Sequence, residues 1–192
     1  MKNSFFAFLS RMKHINRWGL MHNSRYENLA EHSFETAYIA NALANIENAH
    51  FGGDFDAERI TTLALFHDCA EIITGDLPTP VKYKHSGITG AYSQVEKAAK
   101  QTLICSLDPA LQDVYTEYLD YEKTKYYNII KAADKLSALI KCRQELAIGN
   151  GDFASAEKTI TKSLENTGLE SVKYFVDNVL PLYTKTLDEL SQ

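Results

Sequence analysis

Four side chains that favour a shared divalent ion occur in the order His32, His67-Asp68, Asp134. Imidazole suits first-row transition metals and carboxylate suits harder ions, so two of each describe a mixed nitrogen and oxygen site for Mn, Fe, Co, Ni or Zn, with no need of thiolate. That donor set points to metal-dependent phosphohydrolase chemistry, in which an ion polarises a phosphoryl oxygen and activates water. Glu71 follows His67 by four residues and Asp68 by three, so on a continuous helix it shares a surface with both. With six His and 25 acidic residues the chain offers many such subsets, and the pattern gains weight only from the elements that carry it.

Those elements read as helices. The stretch from Ile60 to Ile73 has an apolar face at Ile60, Leu63, Ala64 and Ile72, which predicts one helix bearing His67, Asp68 and Glu71. His32 falls just inside another helix start, where Asn28 serves as N-cap and Glu31 reaches back in a capping-box variant. Asp134 interrupts the apolar run Ile129, Ile130, Ala132, Ala133, Leu136, Leu139 and Ile140, and a carboxylate in a largely buried helix needs a partner to offset its desolvation. A metal ion would be one such partner; an ordinary hydrogen-bonded structural role is the alternative for each of these residues taken singly.

Helical periodicity recurs elsewhere: Phe5, Phe8, Leu9 and Met12; Phe34, Ala37, Tyr38, Leu43 and Ile46; Tyr92, Val95, Ala99 and Leu103; and Phe153, Ala156, Ile160 and Leu164. Asp108 and Pro109 supply an N-cap and first-turn proline. Val172, Phe175, Val176, Val179 and Leu187 predict a last helix bent at Pro181. Stops are glycine-based, at Gly52-Gly53, Gly75, Gly149-Asn150-Gly151 and Gly168. Strand alternation does not occur, so the expectation is an all-α protein, residues 1–192 forming one domain. Tyr115, Tyr118, Tyr121, Tyr126 and Tyr127 are expected at the edge of the core.

A length of 192 residues and a hydrophobic fraction of 45% fit a folded protein with a sizeable core. The net charge of −5 argues against a nucleic-acid polymer as partner, although Lys2, Arg11, Lys13, Arg17 and Arg25 make the start of the chain basic. Cys69, Cys105 and Cys142 are widely spaced, which suggests neither a disulfide framework nor a thiolate metal site and fits a reducing compartment. No window reaches the ~18 consecutive apolar residues of a spanning helix. The expectation is a cytoplasmic protein without a membrane partner.

The His32, His67-Asp68, Asp134 arrangement resembles the signature of HD-domain phosphohydrolases, with Glu71 completing a His-Asp-x-x-Glu segment. Residues 15–18 (Ile-Asn-Arg-Trp), 27–33 (Glu-Asn-Leu-Ala-Glu-His-Ser), 74–83 (Thr-Gly-Asp-Leu-Pro-Thr-Pro-Val-Lys-Tyr) and 131–134 (Lys-Ala-Ala-Asp) look like a narrower branch, the bacterial 5'-deoxynucleotidases. The resemblance spans most of the chain and implies a single HD-domain helical bundle. It implies hydrolysis of deoxyribonucleoside 5'-monophosphates to deoxynucleoside and phosphate, with broad base tolerance, by a divalent transition metal (Co or Mn, with Zn, Cu, Ni and Fe as further candidates). His32, His67, Asp68 and Asp134 would hold the ion, and Glu71 would move a proton or orient His67. Arg17 would clamp phosphate through paired hydrogen bonds. Trp18 would orient the phosphate and crowd the sugar, or else belong to the core. Asp76, Leu77, Pro78 and Thr79 would line the sugar, with His32, Asp68 and Asp134 also touching substrate. The resemblance further implies a homodimer. Another HD-domain reaction, on a cyclic, polyphosphate or triphosphate nucleotide, and a noncatalytic nucleotide-binding regulator are the competing readings.

Overall fold

The Asn28 side chain accepts hydrogen bonds from the Ala30 and Glu31 amides at 3.0 Å each, while the Glu31 carboxylate accepts from the Asn28 amide at 3.1 Å. This capping box is worth about 0.5–2 kcal/mol, and it starts α2, Leu29–His50, around which the other helices of this computed structural model are arranged. The structure describes residues 3–78 and 86–191. Before α2 come α1 (Phe5–Leu9) and a 3₁₀ turn (Met12–His14); after it come α3 (Ala57–Leu65), α4 (Glu71–Thr74), α5 (Ser86–Cys105) and α6 (Pro109–Leu119). The chain then runs through a 3₁₀ turn (Tyr121–Lys123) into α7 (Tyr127–Ala147), a 3₁₀ turn (Gly151–Phe153), α8 (Ala154–Glu165) and α9 (Glu170–Asn178). A last 3₁₀ turn (Leu180–Thr184) and α10 (Leu187–Leu190) follow. No strand occurs among the described residues, as expected, and none of their helices is long and apolar enough to cross a membrane.

α2 packs against α3, α7 and α9. Contact on three sides explains why its buried set winds around the helix, taking in His32, Ser33, Thr36 and Glu47 as well as Ile39, Ala40 and Leu43. It also explains one departure: Phe34 (67% exposed) and Tyr38 lie outside the core, although their spacing suggested an apolar face. α7 buries the predicted run at Ile129, Ile130, Leu136, Leu139 and Ile140 against α2, α3 and α8. Truncating such a side chain to Ala costs about 2–5 kcal/mol. A second apolar cluster joins Phe5, Met12, Leu29, Leu103 and Leu119, and Phe66, Tyr115 and Tyr118 pack at its edge, as expected, whereas Tyr121 is buried in the first cluster and Tyr127 is exposed.

The last predicted helix is not bent but divided. α9 ends at Asn178, a 3₁₀ turn takes over at Leu180, and Leu187 is 80% exposed. Pro181 lacks the amide a continuing helix needs and disfavours a helical residue before it.

Candidate metal and phosphate site

α2, the α3–α4 turn and α7 converge where His32, His67, Asp68 and Asp134 meet, each offering one ligand atom within 4.8 Å of the others. His32 Nε2 lies 3.2 Å from Asp134 Oδ1 and 3.5 Å from Asp68 Oδ2; His67 Nε2 lies 3.0 Å from Asp68 Oδ2 and 3.9 Å from Asp134 Oδ1. Both His are buried, and among the described residues His67 Nε2 has no hydrogen-bond partner.

The other nitrogen of each ring is committed elsewhere. His67 Nδ1 donates to the Ala64 carbonyl at 2.7 Å, and His32 Nδ1 is 3.0 Å from Ser137 Oγ, whose hydroxyl donates to Glu35 at 2.7 Å. Bonding at Nδ1 fixes the tautomer and leaves the Nε2 lone pairs directed at the shared space. An orphaned buried ring nitrogen, a second imidazole and two carboxylates fit a divalent ion of the mixed-donor kind.

The helix predicted across Ile60–Ile73 is broken at its most chemical point. α3 stops at Leu65, and residues 66–70 form tight turns in which the amides of Phe66, His67 and Cys69 bond to the third carbonyl back. The His67 ring takes the Ala64 carbonyl, a competition of side chain with helix that lets the backbone turn so that His67 and Asp68 enter one site. Glu71 opens α4, buried, with its amide on the Asp68 carbonyl at 2.9 Å. Since Ala64 holds His67 Nδ1, orientation of His67 falls to that carbonyl.

Arg17 is brought in by pairing of two segments. The Arg17 amide donates to the Glu27 carbonyl and the Leu29 amide to the Ile15 carbonyl, at 2.9 Å each, around an Asn16–Asn28 bridge. Its Nε donates to Glu27 at 2.8 Å, and Nη1 stands 3.6 Å from Asp68. Lys131 donates to Asp134 at 2.5 Å. Burial opposes ionisation of Asp134, but Lys131 and His32 hold its carboxyl well below the usual range; burial likewise opposes ionisation of Asp68, which the His67 and His32 rings hold low. Burial and Arg17 disfavour protonation of His32, yet Asp134 and Asp68 outweigh them and raise its pKa. Asp76, after the positive-φ Gly75, is pushed up by burial and pulled back by Arg17, which places it on the same side of the site.

The structure thus unites His32, His67, Asp68, Asp134, Arg17 and Asp76. Trp18 adjoins them at φ 58°, with its ring 5.3 Å from Phe153. Leu77 and Pro78 follow Asp76, half-buried. Thr79, together with Pro80, Lys82 and Lys84, lies outside the described residues. Sequence reasoning missed Glu27, Glu35, Ser137 and the ion pair of Lys131. A usable signal existed for three of them: Glu35 follows His32 by three positions, and Lys131 and Ser137 flank Asp134 by three on either side, the spacing of helix neighbours.

Residues 4–183 match the family described as 5'-deoxynucleotidase YfbR-like. A protein of Escherichia coli O1:K1 / APEC named 5'-deoxynucleotidase YfbR is 45% identical over 195 aligned positions, covering 100% of this chain and 98% of its own length. The chain belongs to the YfbR-like family. Among solved structures, an HD-domain phosphohydrolase from Listeria innocua superposes on this YfbR-like chain with a TM-score of 0.83 at 25% identity, covering 98% of it and 92% of the other. A cyanophage S-2L HD phosphohydrolase, solved with dA and one catalytic Zn2+ ion, shares the fold at 16% identity, with a TM-score of 0.67 and coverage of 94% and 99%. The all-α architecture is therefore the HD-domain helical fold, and the His and Asp cluster of this YfbR-like protein suits a divalent metal.

Proposed function

We propose that the chain, a single HD-type domain, hydrolyses deoxyribonucleoside 5'-monophosphates to deoxynucleoside and phosphate, with preference for deoxyribose and tolerance of several bases. The convergence of His32, His67, Asp68 and Asp134 on one space, with Arg17 beside it, is the observation that carries this reading. His32, His67, Asp68 and Asp134 hold a divalent transition metal, Co or Mn first, with Zn, Cu, Ni or Fe as alternatives. When bound there, such an ion supplies Lewis-acid polarisation of the phosphoryl oxygen and lowers the pKa of the attacking water.

The chain's own residues do the rest. Arg17, anchored through Nε by Glu27, keeps its Nη atoms free of that contact and offers the planar fork that matches two phosphate oxygens. Glu71 moves the proton between water and the leaving 5'-oxygen, a role suited to a carboxylate beside but outside the ligand set. Asp76 accepts from the sugar 3'-hydroxyl, with Leu77, Pro78 and Thr79 lining the sugar. Trp18 orients the phosphate and crowds the position where ribose carries its 2'-hydroxyl, so discrimination comes from a clash or an unpaired polar group. A cytoplasmic homodimer completes the reading, to which the exposed Phe34 and Tyr38 rings offer apolar surface.

The test is product analysis on metal-reloaded protein, with dAMP against AMP, dTMP against UMP, and dATP and a cyclic nucleotide alongside. Orthophosphate from several deoxymonophosphates and little from their ribose partners is expected. Turnover confined to dATP or the cyclic nucleotide would keep the HD site and overturn the substrate.

A further inference from the structure

Trp18 has a left-handed backbone at φ 58°, a conformation disfavoured for a bulky side chain and costing about 1–3 kcal/mol. Such a residue persists only where its surroundings over-determine it. Beyond the Trp18 ring itself, apolar burial does not hold this segment, since Leu20 is 79% exposed and Tyr26 is 72% exposed. Polar contacts do. Asn23 Nδ2 donates to the Trp18 and Met21 carbonyls at 3.0 and 2.9 Å, which closes the segment on itself.

The closed segment is tied to α7 through a buried ion pair. Lys141 and Glu145, one turn apart and only 6% and 1% exposed, are hydrogen-bonded to each other. Their remaining bonding capacity leaves the helix and goes to the Trp18 segment. Lys141 Nζ donates to the Arg25 carbonyl at 2.6 Å, and Glu145 accepts from the Ser24 amide at 3.2 Å to both oxygens. Asn150 donates to Glu145 at 2.8 Å and to the His22 carbonyl at 2.7 Å. Lys141 also stands 5.6 Å from the centre of the Phe153 ring, the ring on which Trp18 leans. An ion pair taken out of water is a poor source of stability compared with apolar residues of the same volume. What this pair does that apolar residues cannot is fix the register of a polar backbone segment against a helix.

We propose that Lys141, Glu145 and Asn150 are positioning residues that hold Trp18 at a fixed offset from Asp134 on the same helix, and so set the sugar selectivity of the site. The selectivity half of this proposal rests on the reading of Trp18 as the group that crowds the sugar; the positioning half does not. Trp18 is the only tryptophan, so its fluorescence reports its surroundings without any substrate.

The experiment compares the full-length protein with the double variant Lys141→Met/Glu145→Leu, in which apolar side chains replace the pair. Tm, tryptophan emission and acrylamide quenching are measured, together with the ratio of kcat/KM on dAMP to that on AMP. The expected result is a folded protein of similar Tm with emission moved to the red, quenching increased, and the deoxy-to-ribo ratio reduced about tenfold, the lower end of what a pocket gains by discriminating one small group. Unchanged emission and quenching in the folded variant would overturn the proposal and leave the pair as an ordinary contact. A changed environment with an unchanged ratio would support the positioning role and overturn Trp18 as the sugar gate. Should the double variant not fold, Asn150→Ala removes two of the ties, and the same readouts decide between the same outcomes.

Discussion

α7 carries two buried ionic groups about two helical turns apart, and they differ in whether they are complete. At Lys141 and Glu145 the charges balance, and the outward hydrogen bonds go to named donors and acceptors. At Asp134 they do not balance: Asp68, Asp134 and Glu27 face only Arg17 and Lys131 when both rings are neutral, and His67 Nε2 lacks a hydrogen-bond partner among the described residues. A closed network does its work through the backbone it fixes. An open one stores its capacity for a ligand that brings positive charge and accepts donor atoms on several sides, and burial makes that deficit costly to leave unfilled.

The largest effect that tests this contrast is at Asp68. Asp68→Ala should reduce turnover to background and remove the rise in Tm on adding metal, a rise of about 2.7 kcal/mol in stability at 100-fold excess over Kd. Its metal-free Tm should fall as well, because the His67 and His32 rings hold that carboxyl well below its usual range in the fold, and that stabilisation goes with it. Retained turnover would show that Asp68 is no ligand. Next comes Glu71→Gln, for which turnover is expected to drop about 10²–10⁴-fold with metal affinity kept, as measured by competition with a chelating dye. Loss of metal affinity instead would place Glu71 in the ligand set.

A smaller change is expected from Ser137→Ala, which cuts the link from His32 Nδ1 to Glu35. Metal affinity should weaken about 10–100-fold, and an unchanged Kd would mean that His32 is oriented by other contacts. The last effect belongs to the closed network and shows only in acid. Hydrogen bonds from Lys141, Asn150 and Ser24 outweigh burial and lower the Glu145 carboxyl from 4.5 to about 2. A depressed acid stabilises the fold fully above its unfolded pKa and loses that contribution as pH falls through its folded pKa. The natural chain should therefore lose Tm more steeply between pH 4.5 and 2 than Glu145→Gln, and equal slopes would contradict the assignment.

The two regions were not equally legible in the sequence. The metal ligands announce themselves by type, and Asn28 and Glu31 by the spacing of a capping box, which the structure reproduces. The break between Leu65 and Glu71 could not be read, because the apolar period continues through it and the turn depends on which atom takes the Ala64 carbonyl. The buried face of α2 misled for a different reason: a helix packed on three sides has no single stripe, and Phe34 and Tyr38 sat at positions that fit one. Lys141 and Glu145 are the hardest case, since a Lys and Glu four apart normally describe a solvated helix surface. Only the fold, by laying residues 22–25 across them, turns that pair into a buried one.

The measurement that bears most directly on the account is a calorimetric titration of chelator-stripped protein with Mn or Zn, with phosphate release from dAMP followed on the same samples. The account predicts that turnover is absent at the start, rises in step with binding, and that both depend on Asp68. Full turnover in protein that binds no ion, or the same binding isotherm from Asp68→Ala, would contradict it.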